Sequence, residues 1–335
     1  MKALRALFLL CFGFVGLHAG LDPQGLPEGT VGVIFVSNEA FDRTAFGQAF
    51  GAAFRKEMDA NAGLRNLEEK LGIRPKTDIR EAVVGAYAPK QPDGEPTVVG
   101  LIRGTFNPAR IEAFARSNKV PATTVGKYLA WDANVMGEAI TGEPALDPNK
   151  KDTVLIAYSK DLLIFASKEQ AAAAVAAASG KARSWAGPTG DVKAALQEVT
   201  TENNWLLLHW DALKLCKAED REKLEELGLQ EVSFAIGEDA KNLQFRLSAH
   251  FKDDASATSA MLQMKMLPAL AEAGLSAAAA GKKPEEVAQI EKLSDLIHKI
   301  SFRNTGRTIT VQLDYPAKDA GDALREAIQK AAAGK

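Results

Sequence analysis

Short apolar runs and longer stretches of helical spacing alternate along this chain, and they do so twice in the same order. Val31 to Val36 and Trp205 to Trp210 both read as strands, and each leads into sequence whose apolar residues recur at helical intervals. The helix ending Leu67, Glu68, Glu69, Lys70, Leu71, Gly72, Ile73 has an echo in Leu224, Glu225, Glu226, Leu227, Gly228, Leu229, and both copies place glycine where a helix needs a left-handed stop. Paired strands follow in each half: Glu81 to Tyr87 with Thr97 to Phe106, and Glu231 to Ile236 with Leu243 to Phe251. Each pair hands over to a helix. Asn107 and Pro108 supply a cap and a first-turn proline in one half, and Asp253 and Asp254 precede Ala255 to Leu270 in the other. A last hairpin and helix close each half, Thr153 to Ala166 before Lys168 to Ala178 and Lys299 to Tyr315 before Ala320 to Lys330. Ser167 and Gln170 have capping-box spacing, and Asn304 to Gly306 reads as the turn of the last hairpin.

This order predicts an α+β fold of two similar modules, residues 21–182 and 183–335, each an antiparallel sheet with helices covering one face and derived from internal duplication. The break between them falls near Gly180, Gly187, Pro188 and Gly190. Edge-to-edge and face-to-face packing of the modules both stay open. Trp205, Leu207 and His209 alternate with Leu206, Leu208 and Trp210, so both faces of that strand are bulky and it is expected at the centre of a sheet.

Two apolar clusters stand out as candidate ligand surfaces. Phe46, Phe50, Phe54 and Met58 recur every four residues, so a helix opening at Asp42 presents them as one stripe, with Phe41 stapled onto Phe46 across the cap. Met261, Met264 and Met266 form a second, more pliable cluster ahead of Pro268. Core packing accounts for both; an acyl chain held between layers is the alternative. An amphipathic helix restarts after Pro284 with Val287, Ile290, Leu293 and Ile297 on its core face.

The first twenty residues change the setting. Lys2 and Arg5, the apolar run Ala6 to Leu17 and the small Ala19 have the layout of a bacterial secretory signal, cleaved after about residue 20. The apolar run is too short to span a bilayer, and Gly20, Asp22, Pro23 and Gly25 end any helix, so no transmembrane span is expected after cleavage. Cys11 sits inside that run behind Leu9 and Leu10, which disfavours a lipid-anchored reading. The expected destination is the periplasm or the extracellular medium. Cys216 is then the only cysteine of the mature chain, so stability comes from packing and not from an internal disulfide.

Charge excludes one class. Lys plus Arg number 41 against 43 Asp plus Glu, without a basic stripe interleaved with aromatics, so nucleic acid is not an expected partner. Candidate chemistry is sparse. His209 shares a strand face with Asp211, the beginning of general-base chemistry, yet no Gly-x-Ser-x-Gly elbow supplies a nucleophile. His209, His250 and His298 have no second histidine three or four residues away, Cys216 is alone, and no glycine-rich run opens a helix after a strand, so no metal, cofactor or nucleotide is expected. The charged run Lys217 to Glu226 reads as a solvated helix face. The leading expectation is a non-catalytic exported envelope protein that binds a partner or supports an assembly. A periplasmic carrier or sensor of an apolar, lipid-like ligand is the first alternative, and a hydrolase built on scattered residues the second.

Overall fold

The structure, a computed structural model, describes residues 25–51, 62–89, 94, 96–142, 152–185, 204–216, 218–239, 241–279 and 284–322. The strands are β1 (Thr30–Ser37), β2 (Ile79–Tyr87), β3 (Thr97–Gly104), β4 (Ala122–Val125), β5 (Tyr128–Asp132), β6 (Thr153–Ser159), β7 (Leu162–Ser167), β8 (Asn204–Asp211), β9 (Leu229–Glu238), β10 (Asn242–Phe251), β11 (Ile300–Thr305) and β12 (Thr308–Pro316). They form one twelve-stranded sheet in the order β11-β12-β10-β9-β8-β1-β2-β3-β7-β6-β5-β4. Every pairing in it is antiparallel. The protein is therefore α+β, and the packing left open by the sequence is edge to edge.

The two halves meet at β1 and β8, with Val33 opposite His209, Ile34 opposite Leu208, Phe35 opposite Leu207 and Val36 opposite Leu206. Bulky residues on both faces put β8 in the middle, as its sequence pattern predicts. Outward from this seam the strands run β2, β3, β7, β6 on one side and β9, β10, β12, β11 on the other. In both directions the third strand gives way to helices, and the chain returns as a hairpin whose second strand docks on that third strand.

Helices α1 (Asn38–Arg43) and α2 (residues 45–51) follow β1, and α3 (Ala62–Asn66), prolonged by a π turn at Leu67–Leu71, and α4 (Pro75–Asp78) precede β2. Helix α5 (Pro108–Ser117) follows β3, α6 (Ala133–Thr141) follows β5 and α7 (Ala171–Ala178) follows β7. The second half carries α8 (Ala212–Leu215), α9 (Ala218–Leu227), α10 (Asp254–Ala279), α11 (Pro284–His298) and the described start of α12 (residues 317–322). The hairpin β4–β5 and helix α6 escaped the sequence pattern because β4 is a short edge strand whose residues are mostly exposed, with no apolar alternation to reveal it.

Two of the expected caps are present, whereas the capping box at Ser167 and Gln170 does not form: α7 opens at Ala171 without a side-chain cap, and the buried Ser167 hydroxyl finds no hydrogen-bond partner among the described residues. Asn107 accepts from Arg110 N–H at 3.1 Å, and Asp253 accepts from Ser256 N–H at 2.7 Å, the same offset in each half. Gly72 and Gly228 sit at φ +69° and +71°, the left-handed stops their sequences call for. The last hairpin turns one residue later than expected: Thr305 pairs with Thr308, and Gly306 takes the positive φ.

Two expectations need correcting. Helices are not confined to one face, for the small-residue face of α7, Ala171 and Ala174, packs on Val99, Ile164 and Ala166, while α5 and α6 bury Ile111 and Met136 against Leu155 and Leu163 on the opposite face. The helix bearing Phe46 also does not open at Asp42. The chain breaks at Thr44, whose hydroxyl accepts from Gly47 N–H at 2.8 Å, and the buried Glu238 carboxylate of β9 accepts from Ala45 N–H at 2.6 Å and Phe46 N–H at 3.0 Å. A distant carboxylate supplies the cap that a sequence reading looks for locally. Gly47 is needed there, since a Cβ would lie 1.9 Å from the Phe41 carbonyl oxygen.

Replacing Glu238 with Ala leaves the two α2 N–H groups uncapped, and a loss of about 1–2 kcal/mol is expected in urea unfolding, with the fold retained by circular dichroism.

Candidate functional site

Alternation along the strands divides the sheet into two faces of different character. One face is apolar from β1 to β12 and carries most of the helices: Trp205, Leu206 and Leu243 pack beneath Phe41 of α1 and Phe46 and Phe50 of α2, and Ala249 and Ile309 pack beneath Ala257 and Met261 of α10. The opposite face starts apolar, with Val33, Phe35, Val83, Leu101 and Ile164, and turns polar beyond β8. Its polar part is buried, Ser248 to 1%, His250 to 3%, Thr308 to 4% and Arg246 to 6% exposure.

His209 lies in this polar layer. Its register partner across β8–β9 is Ser233, and His209 Nδ1 meets Ser233 Oγ at 2.8 Å. One diagonal further on, His250 Nδ1 meets Thr308 Oγ1 at 3.0 Å. Arg246 Nη1 donates to Asp314 Oδ1 at 2.7 Å, and Gln312 Nε2 donates to Asp314 Oδ2 at 2.8 Å. Burial pulls the His209 imidazole below the ordinary histidine value, with Glu231 and then Asp211 opposing the shift. His209 is therefore held neutral.

The expected His209–Asp211 pair does not form a catalytic arrangement. Asp211 caps α8, accepting from Lys214 N–H at 3.0 Å, and is paired with Lys214 Nζ at 2.8 Å. The hydroxyl beside His209 belongs to Ser233, which is 0% exposed and offers no surface to a substrate. Sequence reading missed Ser233 because only the strand register brings it to His209. Among the described residues no group of three or more His, Cys, Asp or Glu side chains is placed to hold a metal ion. Cys216 is half-buried and its thiol donates to the Leu213 carbonyl.

Phe46 and Phe50 sit in an aromatic cluster. Phe41 meets Phe46 edge-on at 6.2 Å, Phe50 at 5.6 Å and Trp205 at 4.7 Å, and Phe46 stacks on Trp205 at 6.3 Å. The Phe41–Phe46 contact is present although the cap is Thr44. Phe54 and Met58 lie outside the described residues. The methionine cluster is divided: Met261 is buried against the sheet, Met264 is half-buried, and Met266 points to solvent at 57% exposure.

Met266 belongs to a different surface. Leu262, Met266, Leu267 and Leu270 are all more than half exposed. At 100° per residue they share an arc of about 140° with Ala273, Gly274 and Ala277, opposite the side of α10 that meets the sheet and α11. No Asp, Glu, Lys or Arg falls on that arc between Leu262 and Ala277. Glu272, on the other side, pairs with His298 of α11 at 3.1 Å. The spacing is visible in the sequence, but α10 has apolar residues on both sides, and periodicity alone does not say which one is buried.

Beside this arc runs a groove of about 610 Å³ between α9 and α10, lined by Lys223, Glu226, Leu227, Ser256, Ser259 and Gln263. Ser256, Ser259, Gln263, Leu267 and Leu270 follow one another at three- and four-residue steps, so the groove continues into the apolar arc. The end of α9 comes close to α10 at Gly228, whose carbonyl accepts from Lys252 N–H at 2.7 Å and whose added Cβ would come within 2.7 Å of Ser256 Oγ. Among the described residues no helix is long and apolar enough to cross a membrane.

Gly228→Ala is expected to cost about 1–2 kcal/mol in urea unfolding, from the left-handed conformation and from the contact with Ser256. His209 predicts an acid response. Its folded pKa is depressed, so its stabilising contribution is complete above the unfolded value of 6.5 and is lost as pH falls below it. Asp42, raised to about 6 by burial against the opposing charge of Lys76, acts the other way below that pH, because its protonated form is favoured in the fold. Urea unfolding of His209→Gln against the parent from pH 7.5 to 5.5 should show a flatter decline in the variant.

No protein-family model matches this chain, and no curated protein matches it. Three crystal forms of TP0453 resemble it among solved structures. Form I shares 9% identity at a TM-score of 0.42, covering 92% of this chain and 99% of that one. Form III shares 8% at 0.43, covering 92% and 100%. Form IV shares 8% at 0.45, covering 91% and 97%.

Proposed function

We propose that this chain is a non-catalytic exported protein of the bacterial envelope that binds a partner, or supports an assembly, through the outward face of α10. The observation behind this reading is the uncharged arc of Leu262, Met266, Leu267 and Leu270, exposed on a helix whose other side is already committed to the sheet and to α11. Large apolar side chains held in water on one continuous surface are the usual mark of a contact site. The leader-like layout of residues 1–20 supports export, to the periplasm or out of the cell. We read the two halves as products of internal duplication, supported by the matched strand order about the β1–β8 seam, the paired stops at Gly72 and Gly228 and the equivalent caps at Asn107 and Asp253.

Native mass spectrometry of mature protein purified from its host's envelope, with lipid extraction, tests the reading against Leu262→Asp/Leu270→Asp. The parent is expected to travel with a stoichiometric protein partner that the double variant, folded by circular dichroism, has lost. A stoichiometric lipid retained by both would overturn it in favour of apolar-ligand carriage, as would a partner that both proteins hold equally in favour of another surface.

A further inference from the structure

Resting on that reading of α10, we infer that the partner docks as an amphipathic helix with a basic flank, its apolar side on the α10 arc and its cations against α9. The α10 arc carries no charge, and the charged side chains that line the groove, Lys223 and Glu226, both come from the helix forming its other wall. Within Ala218–Leu227 the acids are Glu219, Asp220, Glu222, Glu225 and Glu226, against Arg221 and Lys223. The helix is net negative by three charges and its groove side, Glu219, Glu222 and Glu226 against Lys223, by two, and Lys223 already has Asp220 at 3.8 Å.

Glu219, Glu222 and Glu226 recur at three- and four-residue steps with Lys223, so they fall on the side of α9 that supplies Lys223, Glu226 and Leu227 to the groove. An acidic wall beside an apolar floor is complementary to a helix whose leucines and lysines occupy adjacent faces. The track from Ser256 to Gly274 spans about 27 Å along α10, the length of a helix of about 18 residues. A helix reads such a track with apolar anchors at i, i+4, i+7 and i+11.

Charge also separates this occupant from two others. An anionic lipid surface would be repelled by α9, and α10 has a single cation between Leu262 and Ala277, Lys265, which lies off the apolar arc. A second copy would bring only that lysine from its own α10 to meet the two net negative charges of the groove side of α9. A separate basic, amphipathic segment satisfies the apolar floor and the acidic wall together.

The probes are two fluorescein-labelled 18-residue peptides with leucine at the four anchor positions, one with Lys and Arg on the flanking face and one with Glu in their place. They are titrated with the mature full-length chain, and anisotropy is read at 50 and 300 mM NaCl. The basic peptide is expected to bind at least about tenfold more tightly than the acidic one at 50 mM, with the gap narrowing to about threefold at 300 mM as screening increases. Glu222→Lys/Glu226→Lys should reverse the preference, and Leu262→Asp/Leu270→Asp should abolish binding of both peptides. Equal binding of the two peptides that still depends on Leu262 and Leu270 overturns the basic partner and leaves the docking face standing. Binding unaffected by the leucine substitutions overturns the docking face itself. Failure of both peptides to bind overturns the helical occupant. Leucine-dependent binding to anionic phospholipid vesicles, or a concentration-dependent dimer abolished by the same substitutions, overturns it in favour of a lipid surface or a second copy.

Discussion

The antiparallel pairing of β1 with β8 is what makes the rest of this molecule possible. Without it each half would present a long apolar edge strand to water, and two small cores would have to stabilise themselves separately. With it, Val33 and Phe35 bury together with Leu207 and Ala235, so one cluster crosses the seam from β5 to β9. Other links cross as well. Trp205 of β8 packs under Phe41 of α1, and Glu238 of β9 caps α2, so helices that follow β1 are held by residues of the second half. Each fully buried Val, Leu or Phe at this junction contributes about 1.5–3 kcal/mol relative to an exposed one, which makes the seam a larger stabilising element than any cap.

The polar layer beyond β8 has a different role. His209 with Ser233, His250 with Thr308 and Arg246 with Asp314 are buried pairs whose geometry depends on strand register. A slip by one residue would turn these side chains into the layer of Leu247, Ala249, Ile309 and Val311 under α10 and bring those apolar residues out in their place. The layer therefore penalises misregister more than an apolar face would. It has a cost, since among the described residues the buried Ser248 hydroxyl finds no hydrogen-bond partner. The same burial that holds His209 neutral encloses Ser233, so the feature that resembles chemistry in the sequence serves the sheet.

Helix α10 combines two demands. Its inner side, with Ala257, Met261 and Met264, completes the core over β10 and β12, and its outer side stays apolar with nothing from the described residues laid over Leu262, Met266 or Leu270. A helix that is apolar all round belongs in an interior. Here one side is outside, next to the acidic α9, and that combination is the source of the functional reading.

Much of the fold was legible because its determinants are local. The strand pairs, the glycine stops at 72 and 228, the caps at Asn107 and Asp253 and the central place of Trp205 to Trp210 all follow from alternation and from short-range backbone chemistry. What depended on distant residues did not appear. The break at Thr44 needs Glu238, 193 positions from Ala45. The partner of His209 is Ser233, which strand register supplies, while the nearby Asp211 is drawn away by the α8 N-terminus. The sequence by itself determined which residues alternate, which stretches coil and where the helices before Gly72 and Gly228 stop, because those are properties of a few consecutive backbone units, while α10 runs on through Pro268 to Ala279, past the expected end at Leu270. Only the tertiary structure decided which apolar side of α10 faces water and whether two half-sheets become one, because both depend on which surface another part of the chain covers.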